Sequence, residues 1–185
     1  NSKGVISVKV DRKRRIPITT FLRAIGIGTN DEIKALFADV DNGEEVKYID
    51  ATLEKDPANN YEEGLVETYK RIRPGDLATA ESAKSFINAM FFNPKRYDFG
   101  RVGRYKLNAR LGVKVADTAE NRILRKEDVI EIIREIIRLN NTPGAQPDDT
   151  DSLKNRRIRS VGESIQGRVR VGLLRVERII RDRMS

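Results

Sequence analysis

Lys126-Glu127-Asp128-Val129-Ile130-Glu131-Ile132-Ile133-Arg134-Glu135-Ile136-Ile137-Arg138-Leu139 decides the class of the fold. Val129, Ile130, Ile133, Ile136 and Ile137 recur at steps of three and four, and charged residues fill the positions between them. That is the period of an amphipathic helix, which must bury its apolar side against other elements. No Ser, Thr, Asp or Asn precedes it; Arg125 stands where a cap is preferred.

Downstream, Asn140 to Asp149 is a turn-rich linker with Pro143, Gly144 and Pro147. Beyond it Ile158, Val161, Ile165, Val169, Leu173, Val176, Ile180 and Met184 keep helical spacing and predict one long C-terminal helix. Gly162, Gly167 and Gly172 each cost that helix about 1 kcal/mol against Ala. Close packing on a neighbour is the expected reason for them.

Upstream, Thr79 caps a helix with Ala83, Phe86, Ile87, Met90 and Phe91 inward, which Asn93-Pro94 ends. Asn60 with Glu63 caps another, carrying Leu65, Val66, Tyr69 and Ile72, stopped at Arg73-Pro74-Gly75-Asp76. Thr29 with Glu32 has the spacing of a capping box and starts a short helix through Ile33, Leu36 and Phe37. Before it, Pro17 opens a helix with Phe21, Leu22 and Ile25 on its apolar side, ended by Gly26. Residues 95–114 read as a basic loop and a short helix, and 46–53 as a short strand inside an acidic connection. Ile6, Val8 and Val10 alternate as in a half-buried strand, which runs into the basic run Arg12-Lys13-Arg14-Arg15. The expected fold is α+β, predominantly helical: several short helices, a long C-terminal helix and a small antiparallel strand element near the N-terminus. We read residues 1–185 as a single domain, excised from a longer chain because it begins without Met.

The 185 residues carry 36 Lys and Arg against 28 Asp and Glu, a formal charge of +8. The charge is zoned: residues 1–30 are net +6, 31–67 net −9, 68–150 net +5 and 151–185 net +6. Two basic ends suit a phosphate backbone if they meet; the bland alternative is a set of solvated helix faces. There is no Cys and no His, which excludes disulfides, thiol nucleophiles, imidazole bases and ordinary zinc sites. No apolar run approaches a membrane span.

Four clusters invite chemistry. Asp148, Asp149 and Asp151 are oxygen ligands that suit Mg²⁺, although such a triplet commonly caps the next helix. Arg156, Arg157 and Arg159, then Arg168, Arg170 and Arg175, offer forks for phosphate or a guanine edge. Pro94-Lys95-Arg96-Tyr97-Asp98-Phe99 to Arg104-Tyr105-Lys106 interleaves aromatics with cations, either to stack bases or to anchor a loop on the core. Residues 18–37 have the outline of a helix-turn-helix, but Asp31 and Glu32 give its second helix the wrong sign for DNA.

Several of these stretches together resemble the β subunit of bacterial RNA polymerase. They are Val10-Asp11-Arg12-Lys13-Arg14-Arg15-Ile16-Pro17, Leu22-Arg23-Ala24, Thr52-Leu53-Glu54-Lys55-Asp56 and Tyr69-Lys70-Arg71-Ile72-Arg73-Pro74-Gly75-Asp76. Arg96-Tyr97-Asp98-Phe99 with Val102-Gly103-Arg104-Tyr105-Lys106 adds to them. The strongest is Asp148-Asp149-Thr150-Asp151 with Asn155-Arg156-Arg157-Ile158-Arg159-Ser160-Val161-Gly162-Glu163, and Arg170-Val171-Gly172-Leu173 follows. The resemblance covers nearly the whole chain in order and implies the lobe, the second domain of that subunit. It departs where the family usually has Asp-Ile-Asp-His-Leu-Gly-Asn-Arg-Arg: Thr150, Ser152 and Lys154 replace Ile, His and Gly.

The resemblance implies a non-catalytic wall of the DNA cleft that contacts the non-template strand, including a pocket for a flipped-out guanine. The DNA-binding candidates are Asp11, Arg12, Lys13, Arg104, Thr150, Asp151, Arg156 and Arg159. Asp151 would accept from guanine N–H groups, and Arg156 would hold phosphate or a base acceptor. The implied activity is nucleotidyl transfer in DNA-templated RNA synthesis by the whole enzyme. The implied Mg²⁺ sits on the partner β′ subunit, and no cofactor is expected in this segment. DNA, the β′, α, ω and σ subunits and transcription factors are the implied partners, in a cytoplasmic, nucleoid-associated setting with no membrane. The alternative reading is a docking surface for a transcription factor or phage protein, favoured by the acidic 31–67 segment.

Overall fold

The computed structural model describes residues 4–11, 14–43 and 46–184, with Asp11 described by its backbone. The chain divides into two compact units, Asn1–Ala145 and Gln146–Ser185. The division falls inside the turn-rich stretch 140–149.

The first unit opens with a hairpin. Strand β1 (Ser7–Asp11) pairs antiparallel with β2 (Arg14–Pro17), with Val8 opposite Ile16 and a bulge between Lys9 and Asp11. Of the run of four basic residues, Arg14 and Arg15 belong to the second strand, and Arg12 and Lys13 lie outside the described residues. Pro17 ends β2 and occupies the N-cap of α1 (Ile18–Ala24), one residue earlier than expected. Its fixed φ suits both roles, and its missing N–H costs the helix nothing there.

All seven residues of α1 are buried, not just its apolar side. It is the central element of this unit. Ile18, Phe21, Leu22 and Ile25 join one core cluster with Ile33 and Phe37 of α2 (Asn30–Phe37) and Val129, Ile133 and Ile137 of α7 (Lys126–Asn141). Ala24 joins a second, with Leu65 and Tyr69 of α4 (Tyr61–Ile72) and Ala83 and Ile87 of α5 (Ala80–Phe91). The fully enclosed α1 carries an arginine, so it needs a buried acceptor. Arg23 Nε meets Asp56 Oδ2 at 3.0 Å, both side chains 1% exposed. The rest of the guanidinium donates to the Asn59 carbonyl at 2.9 Å and to Asn30 Oδ1. The other Asp56 oxygen accepts from Thr20 Oγ1 at 2.6 Å and from the Ala58 N–H at 3.0 Å. Gly64 lets α4 lie against this spot: a Cβ there would stand 2.6 Å from Arg23 Cβ and 3.1 Å from Ala24 N.

The capping signals behave as read. Thr29 and Glu32 close a capping box on α2, Asn60 accepts from Glu63 N–H, and Thr79 caps α5. The expected strand over 46–53 is instead a helix, α3 (Tyr48–Leu53). The Asp41 carboxylate, seven residues upstream, accepts from the Tyr48 and Ile49 N–H groups at 2.9 and 2.8 Å. It satisfies the free donors that a helix start exposes, so no local cap is needed. Helix α7 solves its missing cap from within: Asp128 reaches back to the Arg125 N–H at 3.2 Å. It extends to Asn141, whose side chain donates to the Val40 carbonyl at 3.0 Å. Helix α6 spans Gly100–Leu111.

The second unit holds a 3-10 turn, Leu153–Asn155, and the long helix α8 (Val161–Met184). Ser160 Oγ accepts from the Glu163 N–H at 3.3 Å, which places the start later than Ile158. Within this unit α8 buries none of its residues, and Gly162, Gly167 and Gly172 face open space. The close neighbour expected from those glycines is not found within the unit.

Asp56→Ala leaves the Arg23 guanidinium charged and unpaired in the interior. It should lower unfolding stability by about 3–5 kcal/mol. Gly64→Ala should cost about 1–3 kcal/mol by forcing α4 from α1. Urea denaturation followed by circular dichroism measures both.

Candidate nucleic-acid interface

The expected DNA-binding residues lie in both units, and the structure treats them differently. Arg12 and Lys13 lie outside the described residues, and Asp11 is seen only as the last residue of β1. Thr150, Asp151, Arg156 and Arg159 lie in the second unit and are exposed.

Arg104 is corrected. Its side chain is 0% exposed, with both terminal nitrogens 2.8 Å from the two Asp128 oxygens. Nη2 also donates to the Ile123 carbonyl at 3.0 Å, and the guanidinium lies 5.1 Å from the Phe99 ring centroid. Both terminal nitrogens are taken by protein and Nε is buried, so no donor is accessible to a phosphate. Arg104 is the single buried residue of α6, so an ion pair and not an apolar stripe fixes that helix. Spacing could not show this, because Asp128 lies 24 residues away.

The aromatics of the 94–106 stretch divide. Phe21, Phe91, Tyr97 and Phe99 form a chain of ring contacts, with centroids at 5.4, 6.3 and 5.2 Å. Tyr97 and Phe99 therefore anchor the loop on the core. Burial pushes the Tyr97 hydroxyl above its ordinary pKa, and the nearby Asp128 charge adds to this. Tyr105 instead stands 73% exposed. The acidic residues that spoil a helix-turn-helix have a local purpose: Glu32 accepts from the Thr29 N–H at 3.1 Å.

In the second unit, Asp149 organises the turn. Its carboxylate accepts from the Asp151 N–H at 3.0 Å, and its carbonyl accepts from Asn155 Nδ2 at 2.8 Å. The Asp149 carboxylate thus serves the backbone, and no group of three His, Cys, Asp or Glu side chains among the described residues could hold a metal ion. Lys154, where the resembled pattern has Gly, lies in the 3-10 turn with no positive φ, so glycine is not demanded there.

Arg156 follows in extended conformation, and residues 157–160 form no regular secondary structure before α8. Arg157 and Arg159 both turn to Glu163: Arg157 Nη1 lies 2.9 Å from Oε2, and Arg159 Nε 3.9 Å from Oε1. The Arg157 hydrogen bonds hold the Glu163 carboxyl below its usual pKa. Arg156 has no ion pair among the described residues. Nor do Arg168, Arg170 and Arg175 on α8. Arg159, Arg168 and Arg170 line one open hollow over Gly167, which has no Cβ to fill it. Arg168, Arg170 and Arg175 belong to the basic cluster that the sequence offers for phosphate or a guanine edge, although not to the eight DNA-binding candidates given with the resemblance.

Arg156, Arg168, Arg170 and Arg175 thus present their charge to solvent in the second unit, while in the first unit Arg23 and Arg104 are buried in ion pairs and Arg15, Arg71 and Arg96 stand exposed without one among the described residues. The chain belongs to the family of RNA polymerase Rpb2, domain 2, whose model matches residues 1–159. Over its whole length it is 47% identical to the DNA-directed RNA polymerase subunit beta of Dehalococcoides mccartyi and 46% to that of Chloroflexus aggregans. The subunit of Syntrophomonas wolfei is 43% identical. The chain spans 14%, 17% and 16% of the lengths of these relatives. Helix α8 lies beyond the domain match but inside all three alignments.

Arg104→Met should lower stability by about 3–5 kcal/mol through the stranded Asp128 carboxylate. It should leave DNA affinity per folded molecule unchanged, as read by denaturation and by titration of the folded fraction. Carboxyl-carbon NMR should find Glu163 titrating below ordinary glutamates, and Arg157→Ala should return it to the usual range. A depressed carboxyl stabilises above its unfolded pKa. The contribution of this pair is therefore present at neutral pH and lost as pH falls through the folded value.

Proposed function

We propose that this chain is the lobe of an RNA polymerase β subunit, a non-catalytic wall of the DNA cleft that holds the non-template strand by phosphate contacts. The single observation that carries this reading is the set of exposed, unpaired arginines, Arg156, Arg168, Arg170 and Arg175, in one unit of a chain from this family. The surroundings favour an anion: Glu163 takes up Arg157 and Arg159, Asp182 and Glu177 take up Arg178 and Arg181, and Arg156, Arg168, Arg170 and Arg175 present their charge to solvent. Asp151 supplies an acceptor for the guanine N–H groups, which the arginines cannot. In this reading the nucleotidyl transfer and its Mg²⁺ belong to the whole enzyme, with the catalytic aspartates on β′. DNA and the β′, α, ω and σ subunits are the partners, and the setting is cytoplasmic. No helix among the described residues is long and apolar enough to cross a membrane.

Titration with fluorescent single-stranded DNA across a salt series tests this. Affinity should fall steeply with salt, with a log–log slope of about −0.7 per neutralised phosphate. Arg156→Ala and Arg168→Ala should each weaken binding severalfold on all sequences and flatten the slope by about that unit. Asp151→Ala should erase a preference for a guanine-containing strand. Binding indifferent to salt and to both arginine changes would overturn the reading.

A further inference from the structure

The first unit carries a hollow that the DNA-binding reading does not use. Its floor is where the two core clusters meet: Ile25 and Leu124 belong to one, Ala24 to the other, and Phe92 packs against both. The seam is open to solvent at this point. Three cations stand around it, Lys84 on α5, Arg125 just before α7 and Lys126 at its first residue, with Glu127 as the one carboxylate. Arg125 pairs with Glu127 at 3.1 Å. Lys84 and Lys126 have no ion pair among the described residues. Lys126 is drawn over the wall of the hollow, its Nζ 2.8 Å from where a Gly26 Cβ would stand. Gly26 has φ +105°, so an L side chain is strained there and the wall stays bare.

We propose that this hollow is a docking site for an acidic peptide segment of a partner protein, which places one large apolar side chain on the seam and carboxylates against Lys84 and Lys126. The apolar floor is what a buried anchor residue needs, because it extends two existing cores instead of creating a new contact surface. The cationic rim sets the sign of the partner and steers its approach. A nucleic acid fits the hollow less well. The floor is largely aliphatic, and Tyr61 and Phe92 are half-buried, which leaves no open ring face for a base to stack on.

The test is a ¹H–¹⁵N NMR titration of the 185-residue chain with a short acidic peptide bearing one central phenylalanine. Three controls accompany it: the same peptide with serine at the centre, a basic peptide with the same phenylalanine, and oligothymidylate. The acidic phenylalanine peptide should shift the amides of Ile25, Gly26, Asn88, Leu124 and Lys126. Lys84→Glu with Lys126→Glu, both at exposed positions, should weaken it at least about tenfold while leaving the amide dispersion of the core intact. The serine and basic peptides should bind at least about tenfold more weakly than the acidic one. The proposal is overturned if the shifts fall elsewhere or are absent, or if the charge reversal leaves affinity unchanged. It is equally overturned if the serine peptide binds as well, since charge alone would then explain the effect, or if oligothymidylate takes the same amides more tightly.

Discussion

The buried pair of Arg23 and Asp56 is the constraint on which the first unit depends. Helix α1 is enclosed on every side, so a charge on it is tolerable only if the fork is met completely. Asp56 meets one edge, and the Gly28 and Asn59 carbonyls and the Asn30 side chain take the rest. These partners come from the segments that lead into α2 and α4. Satisfying one guanidinium therefore fixes how two neighbouring helices enter the core. The close seat of α4, made possible by Gly64, follows from the same geometry. A hydrophobic residue at position 23 would fill the space but would not tell those two segments where to go.

A second buried pair repeats the device. Arg104 and Asp128 attach α6, a helix with almost no apolar face, to the start of α7. Asp128 also caps α7 through the Arg125 N–H. One carboxylate thus resolves two problems, a helix start without a cap and a helix without a hydrophobic stripe. Phe99 stacks on the same guanidinium and continues inward through Tyr97 and Phe91 to Phe21. The basic, aromatic stretch thereby becomes a brace between core and surface.

What could be read in advance follows from the range of each interaction. Capping boxes, the strand alternation and the α7 stripe depend on residues a few positions apart, and Thr29, Asn60, Thr79 and Val129 behaved as their spacing implied. The failures all involve distant partners. Helix α3 is started by Asp41 from outside its own segment, so a window over 46–53 sees only a short apolar run. Arg104 looks like its exposed neighbours until Asp128 is folded against it. The binding candidates divide for the same reason. Arg156 and Asp151 stand exposed, where a side chain answers mainly to solvent. A buried arginine answers to a residue that no local pattern names.

This division bears on what the resemblance itself means. Leu22-Arg23-Ala24 and Lys55-Asp56, two of the stretches that carry it, meet as the buried ion pair, and the third contains Arg104. They report a scaffold. The 148–163 stretch has a different character, because its residues are exposed and its turn is held by backbone contacts of Asp149 that leave Thr150, Asp151 and Arg156 free. A scaffold residue is restricted by its neighbours in the chain, whereas an exposed residue on a fixed turn is restricted chiefly by what it touches outside. The replacements at 150, 152 and 154 fall in the second kind of site, where the backbone shows no positive φ and accepts them without strain. Their consequence is thus expected in ligand contacts, not in folding. Under the proposed function, the strap of 148–160 is where a replacement would change the hold on DNA without disturbing the two buried pairs that set the frame of the first unit.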